Sequence, residues 1–384
     1  MINIKDKSKC SGCTACASVC PVKCISMKAD AEGFSYPCPD ASLCIGCGRC
    51  IDVCPYNGET APVPVSAYAV RTGLEASSSS GGALASIASA WIESGGCVFG
   101  AAFDESMAVC HIKADSDEAL LRLRKSKYVQ SELNDTFRHV REELDKGQKV
   151  LFIGTPCQTA GLNSFIGTDN SLVTVQLACH GVPSPGLWKA YLAAFEQKLG
   201  KKISSVDFRD KSAGWKSYRV AYGLENGVKR VPFDKDTYML AYLQNLSLRP
   251  SCYQCRFRGR ANADLTVGDL WNISEILPGH DDGKGISLLT VNTEKGQKVL
   301  EQIQDTVKDM MCVSVDIVKA TSRNSGFAAD IPQPKNRAVF YADLQYGGDL
   351  LAHMEKFITR RSKVGKLYAS LHRILSRIKK SMTE

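Results

Sequence analysis

Eight of the 17 cysteines in this 384-residue chain lie in two copies of one pattern within its first 54 residues. The pattern is C-x2-C-x2-C-x3-C-P, whose short spacings let a loop wrap the corner of an iron–sulfur cube with its amides directed at sulfur. The chemistry that it predicts is the transfer of single electrons. The first copy contains Cys10, Cys13, Cys16 and Cys20, and the second contains Cys44, Cys47, Cys50 and Cys54.

The spacing is typical of bacterial ferredoxins, in which the first three cysteines of a run bind one [4Fe–4S] cluster and the fourth binds the other. A lone C-x2-C could equally be a zinc site or a redox dithiol, but two complete runs closed by Cys-Pro favour clusters. We therefore predict one cluster on Cys10, Cys13, Cys16 and Cys54, and another on Cys44, Cys47, Cys50 and Cys20.

Four later cysteines form a second candidate metal site. Cys157 and Cys179 each follow a predicted strand, and Cys252 and Cys255 add a C-x2-C. The carboxyl ends of parallel strands share one edge of a sheet, where ligands bind. The four thiolates could hold a third [4Fe–4S] cluster or a zinc ion; the alternative is two buried cysteines and an unrelated dithiol.

A run of serine and glycine at residues 77–82 precedes a predicted helix, and it would place free amides and a helix N-terminus against a phosphate group. Such runs are also common in plain loops. Clusters carry single electrons, and a flavin is the cofactor that converts them to electron pairs. The chain has no G-x-G-x-x-G motif, which disfavours an ordinary nicotinamide site.

The elements that position these residues follow from the hydrophobic pattern. Strands alternate with helices from residue 68 onward, which predicts a mostly parallel sheet with helices on its faces. Residues 25–36 and 217–233 predict hairpins. Cys24 and Cys38 near the first are interpreted as small core residues, with a role as metal ligands as the alternative. Predicted strands cover 98–103, 150–153 and 172–178, and predicted helices cover 83–93, 135–146 and 186–199.

Composition and charge narrow the class of protein. Hydrophobic residues make up 44% and charged residues 23%, as in an ordinary globular protein. The N-terminus has no apolar signal segment and no stretch approaches ~18 apolar residues, so neither secretion nor a membrane span is expected. Cluster thiolates need a reducing compartment, which predicts the cytoplasm.

The net charge of +8 lies in the C-terminal tail, because residues 356–384 carry nine Lys/Arg and one acidic residue. Apolar residues from Leu367 to Met382 recur at helical spacing and predict a basic amphipathic helix. Such a helix suits either peripheral contact with the anionic inner face of a membrane or packing on the protein's own core. Aromatic residues do not alternate with the charges, so no nucleic acid is expected as a partner.

Several stretches together resemble the beta subunit family of coenzyme F420 hydrogenase and dehydrogenase, including its bacterial relatives with an N-terminal dicluster module. The resemblance covers roughly residues 1–340 in the right order. It implies FAD and one [4Fe–4S] cluster in the second domain, the cluster on the four later cysteines. The matching stretches are SKY at 126–128, GTPCQ at 154–158, CHGVPS at 179–184, FRDK at 208–211 with Gly214-Trp215, Cys252-x2-Cys255, DLTVGDLW at 264–271 and KGIS at 284–287.

Roles within the flavin pocket are expectations on single residues. Lys127 is predicted to lie near the isoalloxazine, where a cation stabilises the reduced ring, and to take part in catalysis. His180 is predicted as a catalytic proton donor, with a purely hydrogen-bonding role as the alternative. Trp215 either lines the pocket or simply packs, and Asp269 either binds ribose hydroxyls or caps a turn. The predicted cofactor-binding residues are Ser80, Gly81 and Gly82 for the pyrophosphate, with Lys127, Tyr128, Gly154, Thr155, Lys211 and Asp269.

The predicted fold class is α+β or α/β. A bacterial-type 2[4Fe–4S] ferredoxin domain at 1–62 precedes a mixed α/β flavin-binding domain at 65–345 and a tail at 346–384. The predicted function is an iron–sulfur flavoprotein oxidoreductase that exchanges electrons with a partner such as ferredoxin or a complex subunit. Since bacterial relatives occur among genes for surface polysaccharides, a sugar-linked substrate is conceivable. The alternatives are oxidation of reduced coenzyme F420 coupled to ferredoxin, and a non-enzymatic electron-transfer subunit.

Overall fold

The computed structural model describes residues 1–327, 330–343 and 348–360. The strands are β1 (Ile25–Ala29), β2 (Ser35–Pro39), β3 (Ser66–Arg71), β4 (Cys97–Phe103), β5 (Val109–Ala114), β6 (Val150–Gly154), β7 (Leu172–Leu177), β8 (Ile203–Asp210), β9 (Arg219–Leu224), β10 (Gly227–Pro232), β11 (Leu265–Asp269), β12 (Ser287–Val291) and β13 (Met311–Val315). The α-helices are α1 (Ala15–Ser18), α2 (Arg49–Asp52), α3 (Ala83–Glu93), α4 (Asp117–Leu123), α5 (Thr136–Asp145), α6 (Pro156–Ile166), α7 (Pro185–Leu199), α8 (Thr237–Leu243), α9 (Ile273–Ile276), α10 (Glu294–Thr306), α11 (Ile317–Thr321), α12 (Arg337–Asp343) and α13 (Leu350–Phe357).

The N-terminal module, residues 1–62, repeats one local structure. Each cysteine run contains a short helix, α1 in the first run and α2 in the second, and each helix starts after a left-handed residue. These residues are Thr14 with φ 64° and Gly48 with φ 77°. Between the runs, β1 and β2 pair antiparallel from Ile25 opposite Pro39 to Ala29 opposite Ser35. The predicted first hairpin is therefore confirmed.

A mixed eight-stranded sheet forms the centre of the rest of the chain, in the order β13-β3-β12-β11-β7-β6-β4-β5. Strands β4, β6, β7 and β11 are parallel, whereas β5, β12, β3 and β13 pair antiparallel with their neighbours. The fold is mixed α/β as predicted, but the prediction of a mostly parallel sheet is wrong. Part of the reason is the tight turn at residues 104–108, where the Asp104 carboxylate accepts the N–H groups of Ser106 and Ala108. A connection this short cannot make the crossover that parallel pairing needs.

A smaller antiparallel sheet, in the order β10-β9-β8, stands beside the central one. Strands β9 and β10 pair from Leu224 opposite Gly227, so the turn consists of Glu225 and Asn226. Gly227, with φ 115°, belongs to β10 and takes a backbone conformation that favours glycine. The second predicted hairpin is confirmed with this change at its turn.

The N-terminal module shares its apolar core with the α/β domain. Phe34 and Tyr36 of the hairpin belong to the same buried cluster as Trp188 of α7. On the other side of the module, Cys16 belongs to a buried cluster that also contains Phe137 of α5. Burial of shared apolar surface therefore fixes the module against the central sheet.

Polar contacts add to this interface. The Arg337 guanidinium binds both carboxylate oxygens of Glu32, with N–O distances of 2.9 and 2.6 Å. Arg138 of α5 donates to the carbonyls of Ala17 and Ser18 at the end of α1. Because these partners lie at least 120 residues apart in sequence, the contacts form only when the module docks.

The C-terminal tail is described as far as residue 360. Its helix α13 buries Met354, and Thr359 exchanges hydrogen bonds with the side-chain amide of Gln244. The predicted amphipathic stripe from Leu367 to Met382 lies outside the described residues. Within the described ranges, no helix has the length and apolar character required to cross a membrane.

Candidate functional site

The cysteines of the N-terminal module form two sets, and each set combines residues from both runs. In the proximal set, Cys16 is influenced electrostatically by Cys10 and Cys54. Burial, followed by the charges of these thiolates, raises the pKa of Cys16 to about 12. Burial likewise raises the pKa of Cys13 far above its usual range. The proximal set is Cys10, Cys13, Cys16 and Cys54.

The distal set lines a small cavity at the outer end of the module. A fifth thiol also lies there, because Cys24 places its sulfur 3.5 Å from that of Cys20. Cys24 is buried as predicted, but Cys38 is exposed on β2, so its interpretation as a core residue is wrong. Cys38 lies two residues after the buried Tyr36, on the same face of β2, so the core covers that face at Tyr36 but not at Cys38. The distal set is Cys20, Cys44, Cys47 and Cys50.

The four later cysteines lie near one another, since the charges of the other three act on Cys179. We call them the inner set: Cys157, Cys179, Cys252 and Cys255. Cys157 lies in the first turn of α6 directly after β6, and Cys179 lies two residues after β7. Strands β6 and β7 are parallel, so their carboxyl ends share one edge as expected. Burial, then the charge of Cys255, raises the pKa of Cys157 to about 11 and that of Cys252 to about 12.

The raised pKa values of Cys157, Cys179 and Cys252 mean that these three thiols are protonated at neutral pH unless a metal displaces the protons. In the part of the chain that the structure describes, no three His, Cys, Asp or Glu side chains are grouped so as to hold one metal ion. A [4Fe–4S] cluster and a zinc ion at the inner set differ in iron content, about four atoms against none.

The proximal and inner sets are neighbours across helix α6. Gly161 of α6 lies so close to Cys13 that a Cβ atom added there would be 2.8 Å from the Cys13 sulfur. The charge of Cys157, at the start of the same helix, contributes to raising the pKa of Cys13 after burial and nearer thiolates. Arg256, next to Cys255, donates to the carbonyls of Tyr56 and Gly58 in the N-terminal module.

A cavity of about 680 Å³ opens beside the inner set, at the carboxyl ends of β6, β7 and β11. Cys179 and His180 lie in its wall. Its volume falls within the roughly 300–1,000 Å³ that is usual for small-molecule and cofactor sites. Of the residues predicted to bind the cofactor, those in the wall are Ser80, Gly82, Lys127, Tyr128, Gly154, Thr155 and Asp269.

The serine–glycine run enters the cavity in part. Ser80 donates its hydroxyl to the Ile286 carbonyl at 2.9 Å, and Gly82 caps the N-terminus of α3 with φ 91°. Gly81 is not in the wall. A Cβ atom there would be 2.4 Å from the Val70 carbonyl oxygen of β3, so Gly81 lets the run pass between strands. The Ser78 hydroxyl is buried and has no hydrogen-bond partner among the described residues.

Lys127 and Tyr128 occupy one side of the cavity. The Lys127 amine donates to the carbonyls of Arg122 and Arg124 at 3.0 and 2.8 Å. Burial lowers the pKa of Lys127 to about 7, against the opposing influence of Asp207. Tyr128 stacks on Tyr242, which also lies in the wall, with ring centroids 4.8 Å apart.

Arg209 is a cavity residue to which sequence reasoning assigned no role. Its guanidinium is 2% exposed, 3.4 Å from the Asp269 carboxylate and 4.3 Å from the Tyr218 ring centre. Its Nε has no hydrogen-bond partner among the described residues. The sequence feature that could have identified Arg209 is its position as a charged residue within the sequence of strand β8. Asp269 thus forms an ion pair in the wall.

Two further predicted residues support the wall from behind. Lys211 donates to the Glu75 carbonyl at 2.5 Å and to the Ser80 carbonyl at 3.4 Å. Trp215 donates to the Ser79 carbonyl at 3.1 Å and stacks on Trp271. Neither Lys211 nor Trp215 is among the cavity-lining residues.

Two histidines lie in the wall. His180 donates from Nε2 to the Asn245 side-chain oxygen at 2.7 Å, and its buried Nδ1 has no partner among the described residues. Burial lowers the pKa of His180, so its ring is neutral at neutral pH. His111, which sequence reasoning missed, bonds to the Ile153 carbonyl and the Ser131 hydroxyl. Burial lowers the pKa of His111 to about 4.

Two family models match parts of this chain. Residues 147–310 match the model of the family described as the C terminus of the coenzyme F420 hydrogenase/dehydrogenase beta subunit. Over this stretch the chain is similar to that family. Residues 9–57 match the 4Fe-4S dicluster domain. The family stretch contains all four cysteines of the inner set, and the dicluster match contains both N-terminal runs. The predicted resemblance is confirmed, and the chain is related to iron–sulfur electron-transfer subunits of oxidoreductases.

Among solved structures, the chain is similar to a chain of the F420-reducing [NiFe] hydrogenase complex from Methanosarcina barkeri. The similarity covers 76% of this chain and 96% of that chain, with 16% identity and a TM-score of 0.48. No curated protein matches the chain.

Proposed function

We propose that the chain is an iron–sulfur flavoprotein oxidoreductase that exchanges electrons between its clusters and FAD, and thereby reduces or oxidises an organic substrate. The observation that carries the proposal is the succession of the three cysteine sets. Cys47 of the distal set is exposed, Cys13 of the proximal set contacts α6, and Cys179 of the inner set lies in the cavity wall. The sets thus lead from the surface to the cavity.

The cavity wall fits a cofactor with phosphate groups. Among the described residues in the wall, Asp269 is the sole acidic residue. Three buried polar atoms there lack a protein partner, the Ser78 hydroxyl, the Arg209 Nε and the His180 Nδ1. Buried polar groups without partners cost free energy unless a ligand satisfies them. The basic residues in the wall are Arg124, Lys125, Lys127, Arg209 and Lys216.

When bound, clusters supply one-electron transfer, and FAD supplies the exchange between single electrons and pairs. The chain's own residues provide the setting. Gly82 offers a helix N-terminus to phosphate, and Arg209 offers a fixed positive charge. Lys127, with its pKa near 7, holds or releases a proton at Nζ close to neutral pH. His180, whose Nε2 is engaged by Asn245, leaves its Nδ1 free to accept a hydrogen bond from a bound group.

Substitution of one inner cysteine tests the proposal. Wild-type protein purified without oxygen should contain about 12 iron atoms per chain and bound FAD. Cys252→Ser should lose about four iron atoms, keep FAD, and fail to reduce it when reduced ferredoxin is supplied. Cys312→Ser, a half-buried cysteine on β13, is the matched control and should behave as wild type.

Three outcomes would contradict the proposal: about eight iron atoms with about one zinc in the wild type, absence of FAD, or flavin reduction that is unchanged in Cys252→Ser. The first would leave a dicluster protein with a zinc site. The second would leave a subunit that only transfers electrons to a partner's active site.

Oxidation of reduced coenzyme F420 is the second candidate function, favoured by the family match over residues 147–310. Anaerobic mixing with oxidised F420 and reduced ferredoxin, followed by the bleaching of deazaflavin absorbance, tests it. Unchanged absorbance would remove this candidate. A screen of nucleotide-linked and lipid-linked sugars for reoxidation of the reduced flavin then tests the sugar-linked substrate.

A further inference from the structure

Two arginines beside the inner set are buried without an acidic partner. Arg249 is 0% exposed and Arg258 is 5% exposed. Among the described residues, the hydrogen bonds of the two guanidinium groups end on carbonyl oxygens, the Gln130 side chain and the Cys10 sulfur, and none ends on a carboxylate. A buried cation normally has an anionic partner, because removal from water costs several kcal/mol per ion. The burial of the Arg249 and Arg258 charges therefore indicates an anionic partner other than a carboxylate of the protein.

Arg258 is held against the backbone of the inner set. It donates to the carbonyls of Cys179 at 3.3 Å and His180 at 3.0 Å, and also to the carbonyl of Cys252. Its remaining terminal nitrogen is buried and has no partner among the described residues. The guanidinium thus lies next to two inner cysteines with one donor group still free.

Arg249 lies against Cys10 of the proximal set, and its charge also acts on Cys157 of the inner set. It donates to the carbonyls of Cys10 at 2.8 Å and Ser35 at 3.0 Å, and to the Gln130 side chain at 3.0 Å. Its guanidinium is 4.2 Å from the Tyr36 ring centre and 4.0 Å from the Cys10 sulfur. The fixed hydrogen bonds prevent the charge from moving away.

We propose that Arg249 and Arg258 provide the buried counter-charge for a cluster on the inner set and raise its reduction potential. The inference rests on the proposed inner cluster. Four thiolates give such a site a net negative charge, and each one-electron reduction adds one more. The attraction between a fixed cation and the cluster grows with the negative charge of the cluster, and it is only weakly screened inside a protein. The cation therefore stabilises the reduced state more than the oxidised state.

A purely structural role would give the arginines the same carbonyl contacts without an effect on potential. Arg258→Lys and Arg258→Gln separate the two roles, because lysine keeps the charge and glutamine keeps only a hydrogen-bond donor. The measurement is an anaerobic redox titration followed by electron paramagnetic resonance. Arg323→Gln is the control, since Arg323 forms an exposed ion pair with Glu275.

Arg258→Gln should lower the equilibrium constant for reduction of the inner cluster at least about tenfold, which is about 59 mV for one electron. Arg258→Lys should stay within about threefold of wild type, as should Arg323→Gln. An inner cluster whose potential is unchanged in Arg258→Gln would overturn the inference and leave the proposed function intact. A wild type without an inner-cluster signal would remove the proposed function itself.

A wild-type measurement covers the case in which Arg258→Gln does not fold. Arginine does not titrate in proteins, so its compensation is independent of pH. Since Lys127 in the cavity wall titrates near pH 7, the inner-cluster potential should change between about pH 6 and about pH 9 by far less than about 59 mV per pH unit. A fall of about 59 mV per pH unit would show that a proton compensates each electron, and would overturn the inference.

Discussion

The two histidines in the cavity wall differ in what their ring nitrogens have left to offer. His111 uses both nitrogens within the protein, on the Ile153 carbonyl and the Ser131 hydroxyl, and stacks on Phe152. His180 uses one, on Asn245, and keeps a buried Nδ1 free. His180 is therefore available to a ligand as an acceptor, whereas His111 stabilises the wall.

His111 makes stability depend on pH. Burial lowers the pKa of His111 to about 4, below the ordinary value of about 6.5 that it regains on unfolding. As pH falls, the unfolded state therefore binds the proton before the folded state does. The stability that neutral His111 contributes is complete above about pH 6.5 and is lost towards pH 4. We expect wild type to lose about 2 kcal/mol more than His111→Gln between about pH 7 and about pH 5 in anaerobic urea unfolding.

The control is His139→Gln, which replaces a histidine on the outer part of α5 and should retain the full wild-type loss. An equal loss in wild type and His111→Gln would mean that His111 does not account for this pH dependence.

At the scale of elements, helix α6 serves both the proximal and the inner set. Thr155 and Gln158 form a capping box at its start, in which the Gln158 side-chain oxygen accepts the Thr155 N–H at 2.9 Å, and Pro156 occupies the first turn. This cap fixes Cys157 at the carboxyl end of β6. Further along the helix, Gly161 gives Cys13 room to approach.

Gly161→Ala should disturb the proximal set specifically. The added Cβ would lie 2.8 Å from both the Cβ and the sulfur of Cys13. Overpacking of this kind costs about 1–3 kcal/mol, so we expect a lower melting temperature and a weaker proximal-cluster signal in electron paramagnetic resonance. Ser164→Ala, on the exposed side of the same helix, introduces the same residue without the contact and should behave as wild type. Wild-type stability and signal in Gly161→Ala would disprove the close packing.

For the whole molecule, the N-terminal module behaves as part of one body. It contributes Phe34 and Tyr36 to a core shared with α7, and its Glu32 pairs with Arg337 of α12. Val63 and Val65, in the segment that leads to the central sheet, are 57% and 82% exposed. The connection between module and sheet is thus accessible although the module itself is packed in place.

Cutting this connection should leave the module bound. With a protease site inserted between Val63 and Pro64, we expect the two fragments to co-elute in anaerobic gel filtration after cleavage. Buried apolar contacts and the partly buried ion pair do not depend on the connecting peptide. The same variant with Glu32→Gln should release the module more readily, since Arg337 would lose its anionic partner. Separation of the fragments without Glu32→Gln would contradict the docked arrangement.

The features of this protein that could be predicted from its sequence are those that depend on local patterns. The cysteine runs, helix α3 over residues 83–93 and both hairpins follow from spacing and turn residues within short windows. The balance of parallel and antiparallel strands did not follow, because β12, β3 and β13 find their partners far along the chain. Pairing of this kind depends on how the whole sheet assembles.

The amino-acid order alone thus determined which thiols can hold metal and which family the chain resembles, because ligand spacing is a property of neighbouring residues. Tertiary structure alone decided that Cys13 meets α6, that Gly81 lies between strands, and that Arg209, Arg249 and Arg258 are buried. The physical reason is that burial and electrostatic interaction act through space. A residue's charge or hydrogen-bonding capacity becomes functional only when folding removes its water and brings distant groups beside it.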